Sequence, residues 1–99
     1  MKTEIDRYLD DAGRLTIYPS KRKNKILTIL YLADKFEIGK EYTEKQVNEI
    51  LMQWHTFGDH VMLRRELFTH GVLGRTVDCK RYWAELEQPS FDDLMKLYG

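Results

Sequence analysis

Residue types that bind metals or transfer protons cluster in one stretch of the sequence, HTFGDHVMLRRELFTHG, residues 55–71. His55, Asp59, His60 and His70 are all possible metal ligands, but a usable site needs several of them to converge. Asp59 and His60 are adjacent and would point about 100° apart on a helix, and the HExxH spacing is absent. The pattern therefore does not predict a metal centre.

The single cysteine, Cys79, is the other candidate for chemistry, and it falls between Asp78 and Lys80. A nucleophilic thiol needs a base beside it, and no histidine is close in sequence. One cysteine also excludes an internal disulfide, which fits a reducing cytosol. No glycine-rich phosphate loop follows a predicted strand. We therefore expect no enzymatic activity and no cofactor.

The strongest electrostatic feature is the basic run SKRKNK, in which the cations are Lys21, Arg22, Lys23 and Lys25. It lies at the start of a predicted helix, where the dipole disfavours cations and free backbone N–H groups favour a bound anion. The anion can be a nucleic-acid phosphate or a small phosphorylated or carboxylate ligand. A third interpretation is that the lysines are solvated and that the acidic segment DRYLDD folds back onto them.

The helix predicted for DHVMLRRELFTH combines residues that serve the fold with residues that face outward. Its inner side is expected to comprise Leu63 and Leu67, extended by Val61 and Phe68. Asp59 or Thr56 can cap the helix, with Asp59 the expected N-cap, and His60 and Arg64 fall within the inner arc. We expect Arg64 to pair with an acid elsewhere, because an unpaired buried guanidinium is costly. Asp59, His60 and Arg64 are therefore predicted to be structural.

The outward face of the same helix is expected to carry Met62, Arg65, Glu66 and Thr69. Arg65 can contact guanine or a phosphate, and Thr69 can contact a base or the backbone. Glu66 would repel phosphate. An ordinary solvated helix face is the alternative interpretation.

A hairpin is predicted in VLGRTVDCKRYWAEL, where three basic residues outnumber the acidic Asp78 and Glu85. Arg75, Lys80 and Arg81 would suit a wing that lies along a phosphate backbone. A charged edge strand that resists aggregation would have the same composition. The hairpin is therefore consistent with DNA contact without requiring it.

These segments are positioned by a predicted order of helix, strand, helix, short strand, helix, turn, helix, hairpin and helix. Thr43 with Gln46, and Ser90 with Asp93, are capping boxes, and Ser20 is the expected N-cap of the basic helix. The order predicts an α+β, winged helix-turn-helix-like domain with three core helices, a small β-hairpin and terminal extensions. Residues 1–19 would form a helix and an edge strand, 20–86 the core, and 87–99 a C-terminal helix. An unrelated small α+β fold is the alternative.

The composition and length of the chain limit how it can bind nucleic acid, how many domains it has and where it is located. The 16 basic and 16 acidic side chains cancel, which argues against binding nucleic acid by bulk charge but not against a local basic patch. A chain of 99 residues is expected to be one domain. The charged N-terminus does not resemble a signal peptide, and no apolar stretch is long enough to span a bilayer. A cytoplasmic protein without membrane contact is therefore expected.

Four segments, GRLTIYPSKRKNK, YTEKQVNEIL, WHTFGDHVMLRRELFTHGVLGR and RYW, resemble a bacterial domain-of-unknown-function family. That family occurs alone or appended to helix-turn-helix transcription regulators, and the likeness covers about Tyr8 to Trp83. The resemblance implies a bacterial cytoplasmic protein connected with transcriptional control, but no particular activity. Members often have Asp-Gly at the hairpin turn, whereas this chain has Asp78-Cys79, and cysteine adopts a positive φ less readily.

The sequence thus favours a small, non-catalytic regulator-like protein that binds double-stranded DNA, acts as a homodimer and has a transcription regulator as a further possible partner. The residues expected to contact DNA are Lys21, Lys23, Lys25, Arg65, Thr69, Lys80 and Arg81. The alternative is a protein-interaction or anion-sensing module of winged-helix shape that binds no DNA.

Overall fold

A computed structural model describes residues 5–98, which form four α-helices and one three-stranded antiparallel sheet. The α-helices are α1 (Arg22–Ala33), α2 (Glu44–Gln53), α3 (His60–Thr69) and α4 (Phe91–Tyr98). The strands are β1 (Glu41–Thr43), β2 (Leu73–Arg75) and β3 (Arg81–Ala84), and a 3-10 helix spans Asp6–Tyr8. The predicted α+β class is confirmed. Residues 1–4 of the predicted first helix lie outside the described residues.

The sheet has the order β1-β3-β2, so the second strand of the hairpin is central. Tyr42 of β1 and Arg75 of β2 both pair with Tyr82. Alternation along β3 buries Tyr82 and Ala84 and exposes Arg81. Gly74 lies opposite Trp83, and a Cβ there would overlap the indole. The hairpin therefore needs glycine at this position.

The helix boundaries follow from local capping. Thr43 and Gln46 form the predicted capping box at the start of α2, and Ser90 and Asp93 form the predicted reciprocal pair before α4. The expectation for Ser20 was wrong: Lys21 is the N-cap of α1 and makes no side-chain cap hydrogen bond. The start of α1 therefore keeps backbone donors without a side-chain cap.

The predicted edge strand within residues 14–19 does not form. Only Leu15 makes bridges: its N–H donates to the carbonyl of Trp54 at 2.8 Å, and its carbonyl accepts from Thr56 at 2.9 Å. Leu15 is fully buried, whereas Ile17 is 55% exposed. The alternating pattern thus has one apolar residue in the core, too few to sustain a strand. The segment instead fastens the N-terminal region to the end of α2.

The core lies between the inner faces of α1, α2 and α3 and the buried face of the sheet. Its fully or almost fully buried apolar side chains include Leu15, Ile29, Leu32, Val47, Leu51, Leu63, Leu67, Val72 and Leu73. Phe36 is also buried, although α1 ends at Ala33 and Phe36 follows in a tight turn. Among residues 5–98, none of the helices combines the length and apolar character needed to cross a bilayer.

Candidate nucleic-acid interface

Helix α3 is held at its first turn by Asp59, whose carboxylate accepts a hydrogen bond from the N–H of Met62 at 3.2 Å. Leu63 and Leu67 are completely buried beneath it. His60, the first residue of the helix, is half-buried. The axis of α3 is therefore fixed by one cap and two core leucines, and the remaining residues distribute around them.

The expected inner positions of Val61 and Phe68 were wrong, because these side chains are 45% and 38% exposed. At about 100° per residue, Phe68 lies roughly 140° around the helix from Leu63. Met62, expected outside, instead packs against the core. The outer face of α3 is consequently more apolar than the sequence suggested, and this signal was present in the helical spacing.

The two adjacent arginines have different surroundings. The guanidinium of Arg64 bonds to the carboxylate of Glu44 at 2.9 Å and to the amide oxygen of Asn48. Only 16% of the Arg64 side chain is exposed. Arg65 is exposed and makes no hydrogen bond or ion pair within residues 5–98. The structure thus places Arg64 between α2 and α3 and leaves the guanidinium of Arg65 available to a partner.

Thr69 and Glu66, the other polar residues predicted on the outward face of α3, have different surroundings. Thr69 is exposed, and its backbone carbonyl accepts a hydrogen bond from the hydroxyl of Tyr98 at 3.0 Å. Glu66, predicted to face outward with Arg65, is half-buried, with its carboxylate 3.5 Å from Nδ1 of His70. The carboxylate therefore lies on the flank of α3 that faces α1 and α4, away from Phe68.

The hairpin joins the outer face of α3 through Arg75. Its guanidinium lies 4.2 Å from the centroid of the Phe68 ring and donates to Sγ of Cys79 at 3.0 Å. A shallow cleft of about 160 Å³ separates the two elements. The residues lining this cleft are Val61, Arg64, Arg65, Phe68, Arg75, Cys79 and Tyr82. The sequence indicates Arg75 only as one of several wing cations, because its stacking depends on the exposed position of Phe68.

The turn of the hairpin is organised by Asp78. Its carboxylate accepts from the Thr76 hydroxyl at 2.6 Å and from the Lys80 N–H at 3.0 Å. These hydrogen bonds lower the pKa of Asp78 below its ordinary value. Cys79 adopts a φ of +61°, the conformation that glycine would occupy more easily. Val77, at the tip, is 99% exposed.

The remaining wing cations differ in their availability. Lys80 is exposed, and its side chain has no hydrogen bond or ion pair within residues 5–98. Arg81 forms an ion pair with Glu41 on β1 at 2.8 Å, although both side chains are more than 60% exposed. Exposed pairs of this kind are weak, so a phosphate can compete with Glu41 for the guanidinium.

Two of the four cations in the basic run, Arg22 and Lys25, lie beside α3. Lys21 and Lys23 are exposed. Lys25 is half-buried, with its ammonium nitrogen 5.9 Å from the centroid of the Tyr18 ring. Arg22 and Lys25 share a surface pocket with Glu66 of α3. The structure therefore brings Arg22 and Lys25 to the flank of α3 that carries Glu66, which is remote from the hairpin.

Two of the three histidines within residues 55–71 form hydrogen bonds with backbone groups. His55 is 5% exposed; its Nδ1 bonds to the carbonyl of Leu51, and its Nε2 accepts from the N–H of Asp59 at 2.9 Å. His70 places Nδ1 2.8 Å from the carbonyl of Glu66. Within residues 5–98, no three His, Cys, Asp or Glu side chains are arranged to hold a metal ion. His55, whose direction the sequence did not reveal, links the end of α2 to the start of α3.

Residues 14–84 match the model of a family described as an uncharacterized protein conserved in bacteria, DUF2087. The match spans the basic run, α1 to α3 and the hairpin. Comparisons with curated proteins and with solved structures found no significant match.

Proposed function

The chain belongs to the bacterial DUF2087 family, and we propose that it is a small winged-helix protein that binds double-stranded DNA in transcription control.

The topology supports a winged helix. The chain order α1-β1-α2-α3-β2-β3 and the sheet order β1-β3-β2 place a helix–turn–helix pair before an antiparallel hairpin, with β1 completing the sheet. In helix-turn-helix proteins the second helix of the pair enters the major groove. Here that helix is α3, and residues 54–59 form the turn between it and α2.

The observation that carries the DNA proposal is the unpaired guanidinium of Arg65 on the exposed face of α3, where Arg65 lines the same cleft as Arg75 of the hairpin. Ten residues give α3 a length of about 15 Å, and a major groove about 12 Å wide admits such a helix. Arg65 is then positioned to reach a base edge or a phosphate. Glu66, half-buried on another flank, does not lie between Arg65 and the DNA.

The other proposed DNA contacts follow from the place of each residue in the fold. Lys80 and Arg81 on the hairpin, and Lys21, Lys23 and Lys25 at the start of α1, would contact phosphates on the two sides of the groove. Thr69, at the end of α3, would contact the backbone. The exposed side chains of Val61 and Phe68 can pack against thymine methyl groups.

A symmetric dimer would complete the proposed regulator. Two copies of α3 would then enter successive major grooves, about 34 Å apart. Alternatively, a transcription regulator carrying its own DNA-binding domain would be the partner of this chain. Sedimentation or light scattering at micromolar concentration distinguishes a homodimer from a monomer that requires another protein.

A second candidate function has one specific observation in its favour. Val61 and Phe68 lie exposed on the same face of α3, and exposed apolar side chains that lie together are typical of protein-binding surfaces. In this alternative, α3 binds another protein, and the basic residues serve solubility or anion sensing.

Fluorescence anisotropy with labelled genomic fragments tests the DNA proposal. Binding at low salt should weaken steeply as salt is added, because phosphate contacts release counterions. Arg65→Ala should reduce affinity and alter the preference among fragments, whereas Lys45→Ala, at an exposed position of α2, is the matched control. Absence of binding at low salt, or equal affinity of the Arg65 and Lys45 variants, would overturn the proposal.

A further inference from the structure

A second pocket, separate from the cleft beside the hairpin, lies where the first turn of α1 meets the last turn of α3 and the end of α4. Its volume is about 200 Å³. The side chains that line it include Tyr18, Arg22, Lys25, Glu66, His70 and Tyr98. Glu66 and Phe68 are two residues apart and point roughly 200° apart on the helix. The pocket and the hairpin cleft therefore occupy different flanks of α3.

The hydroxyl of Tyr18 is the least satisfied polar group of this pocket. Its oxygen is buried and has no hydrogen-bond partner within residues 5–98, an arrangement that folded proteins generally avoid. Burial, together with the nearby charge of Glu66, raises the pKa of Tyr18 far above its ordinary value. The hydroxyl is therefore protonated near neutral pH and is a donor without an acceptor.

The charged side chains on the two sides of the pocket form no ion pairs with one another. Arg22 and Lys25 come from α1 and form no ion pair within residues 5–98, whereas Glu66 comes from α3. The Nδ1 atom of His70 lies 3.5 Å from the Glu66 carboxylate. The cations Arg22 and Lys25 thus share the pocket with the Glu66 carboxylate, and no direct ion pair fills the space between them.

Aromatic side chains form another wall. The rings of His70 and Tyr98 have centroids 4.5 Å apart, and the Tyr98 hydroxyl is already bonded to the carbonyl of Thr69. This hydrogen bond fixes the end of α4 against α3. The rings can therefore contact a short aliphatic segment or an ammonium group.

We propose that this pocket binds a small zwitterion of the amino-acid or ω-amino-acid class. The ligand carboxylate bonds to the Tyr18 hydroxyl and to the cations Arg22 and Lys25, and its ammonium group bonds to Glu66. A doubly charged anion such as phosphate fits less well, because the Glu66 carboxylate opposes it. The volume equals that of roughly seven water molecules at about 30 Å³ each, which suits a ligand of roughly six to eight non-hydrogen atoms.

The proposal does not depend on DNA binding, because the ligand is titrated without nucleic acid. Calorimetric titration with L-alanine, L-serine and γ-aminobutyrate covers the two spacings of carboxylate and ammonium. Propionate and propylamine supply each charged group alone. At least one zwitterion should bind with a Kd below about 1 mM, an affinity within reach of a ligand this small. Propionate and propylamine should bind at least tenfold more weakly, a difference of about 1.4 kcal/mol.

Variants connect the binding to the named side chains. Tyr18→Phe keeps the ring and removes the donor, so affinity should fall about tenfold or more. The unliganded variant should melt no lower than the parent, because it no longer buries an unpartnered hydroxyl. Glu66→Gln should remove the preference for a zwitterion over propionate, and Lys45→Gln should change nothing.

Three results would overturn the assignment. The first is the absence of heat or of a melting shift with all three zwitterions at about 10 mM, ten times the expected Kd. The second is equal affinity for propionate and the best zwitterion, which would indicate a simple anion site. The third is unchanged affinity in Tyr18→Phe.

Discussion

The guanidinium of Arg75 stacks on the ring of Phe68, with 4.2 Å between the guanidinium carbon and the ring centroid. This contact joins the hairpin to the exposed face of α3. Phe68 is 38% exposed, so the pair lies at the surface and is open to a partner. The cation–aromatic pair therefore couples the hairpin to α3 at the surface, in addition to their buried packing in the core.

A double-mutant cycle measures that coupling. Phe68→Leu and Arg75→Gln each remove the stacking, and the interaction energy in unfolding should be about 0.5–1 kcal/mol, typical of exposed cation–π pairs. Chemical denaturation of the two single variants and the double variant provides the measurement. Purely additive effects would show that the stacking does not hold the hairpin in place.

Substitution of the two adjacent arginines should affect different properties: Arg64 should contribute to stability, and Arg65 should contribute to DNA binding. Arg64→Ala removes hydrogen bonds to Glu44 and Asn48 and should lower the free energy of unfolding by about 1–2 kcal/mol, a range that allows for the partial exposure of Glu44. Arg65→Ala should change it by less than about 0.5 kcal/mol but reduce DNA affinity about tenfold. Thermal melts and anisotropy titrations give both quantities. Equal melting losses for the two variants would contradict this division.

Acid should loosen the hairpin turn before it unfolds the chain. Since the folded-state pKa of Asp78 is depressed, its contribution is present above the unfolded pKa of about 3.9 and is lost as pH falls through the folded value. The carboxyl resonance of Asp78 and the amide resonance of Lys80 should shift together in an NMR pH titration. Asp78→Asn should abolish the linked amide shift. An Asp78 midpoint at or above the ordinary value would contradict the prediction.

The left-handed backbone of Cys79 predicts that glycine is tolerated there. Cys79→Gly relieves a positive-φ cost of about 1 kcal/mol, partly offset by the loss of the Sγ contact with Arg75 and by the flexibility of glycine in the unfolded chain. Its melting temperature should match or exceed that of the parent, whereas Cys79→Val should melt lower, because β-branched residues resist positive φ. A glycine variant less stable than the valine variant would show that the thiol contact outweighs the backbone strain.

Local patterns determined much of the fold. The capping boxes Thr43–Gln46 and Ser90–Asp93 involve residues three apart, and their hydrogen bonds need no distant partner. Likewise, helical spacing was sufficient to predict that Leu63 and Leu67 lie on the inner side of α3, where both are buried. The edge strand at Leu15 failed because a strand depends on pairing with another segment, and in this fold the available partners are single residues at the end of α2 and in the N-terminal segment.

The candidate binding surfaces could be identified only from the tertiary structure. The sequence alone supplied the cations, the cap at Asp59 and the separation of Arg64 from Arg65, because these follow from helical spacing. Only the packed chain decided that Glu44 pairs with Arg64, that Arg75 stacks on Phe68, and that Glu66 lines a pocket with Arg22. These residues lie far apart in sequence, and their contacts depend on how α1, α3 and the hairpin pack around Leu63 and Leu67. Side-chain periodicity is a property of one element, whereas a binding surface is formed by several elements held at a fixed orientation.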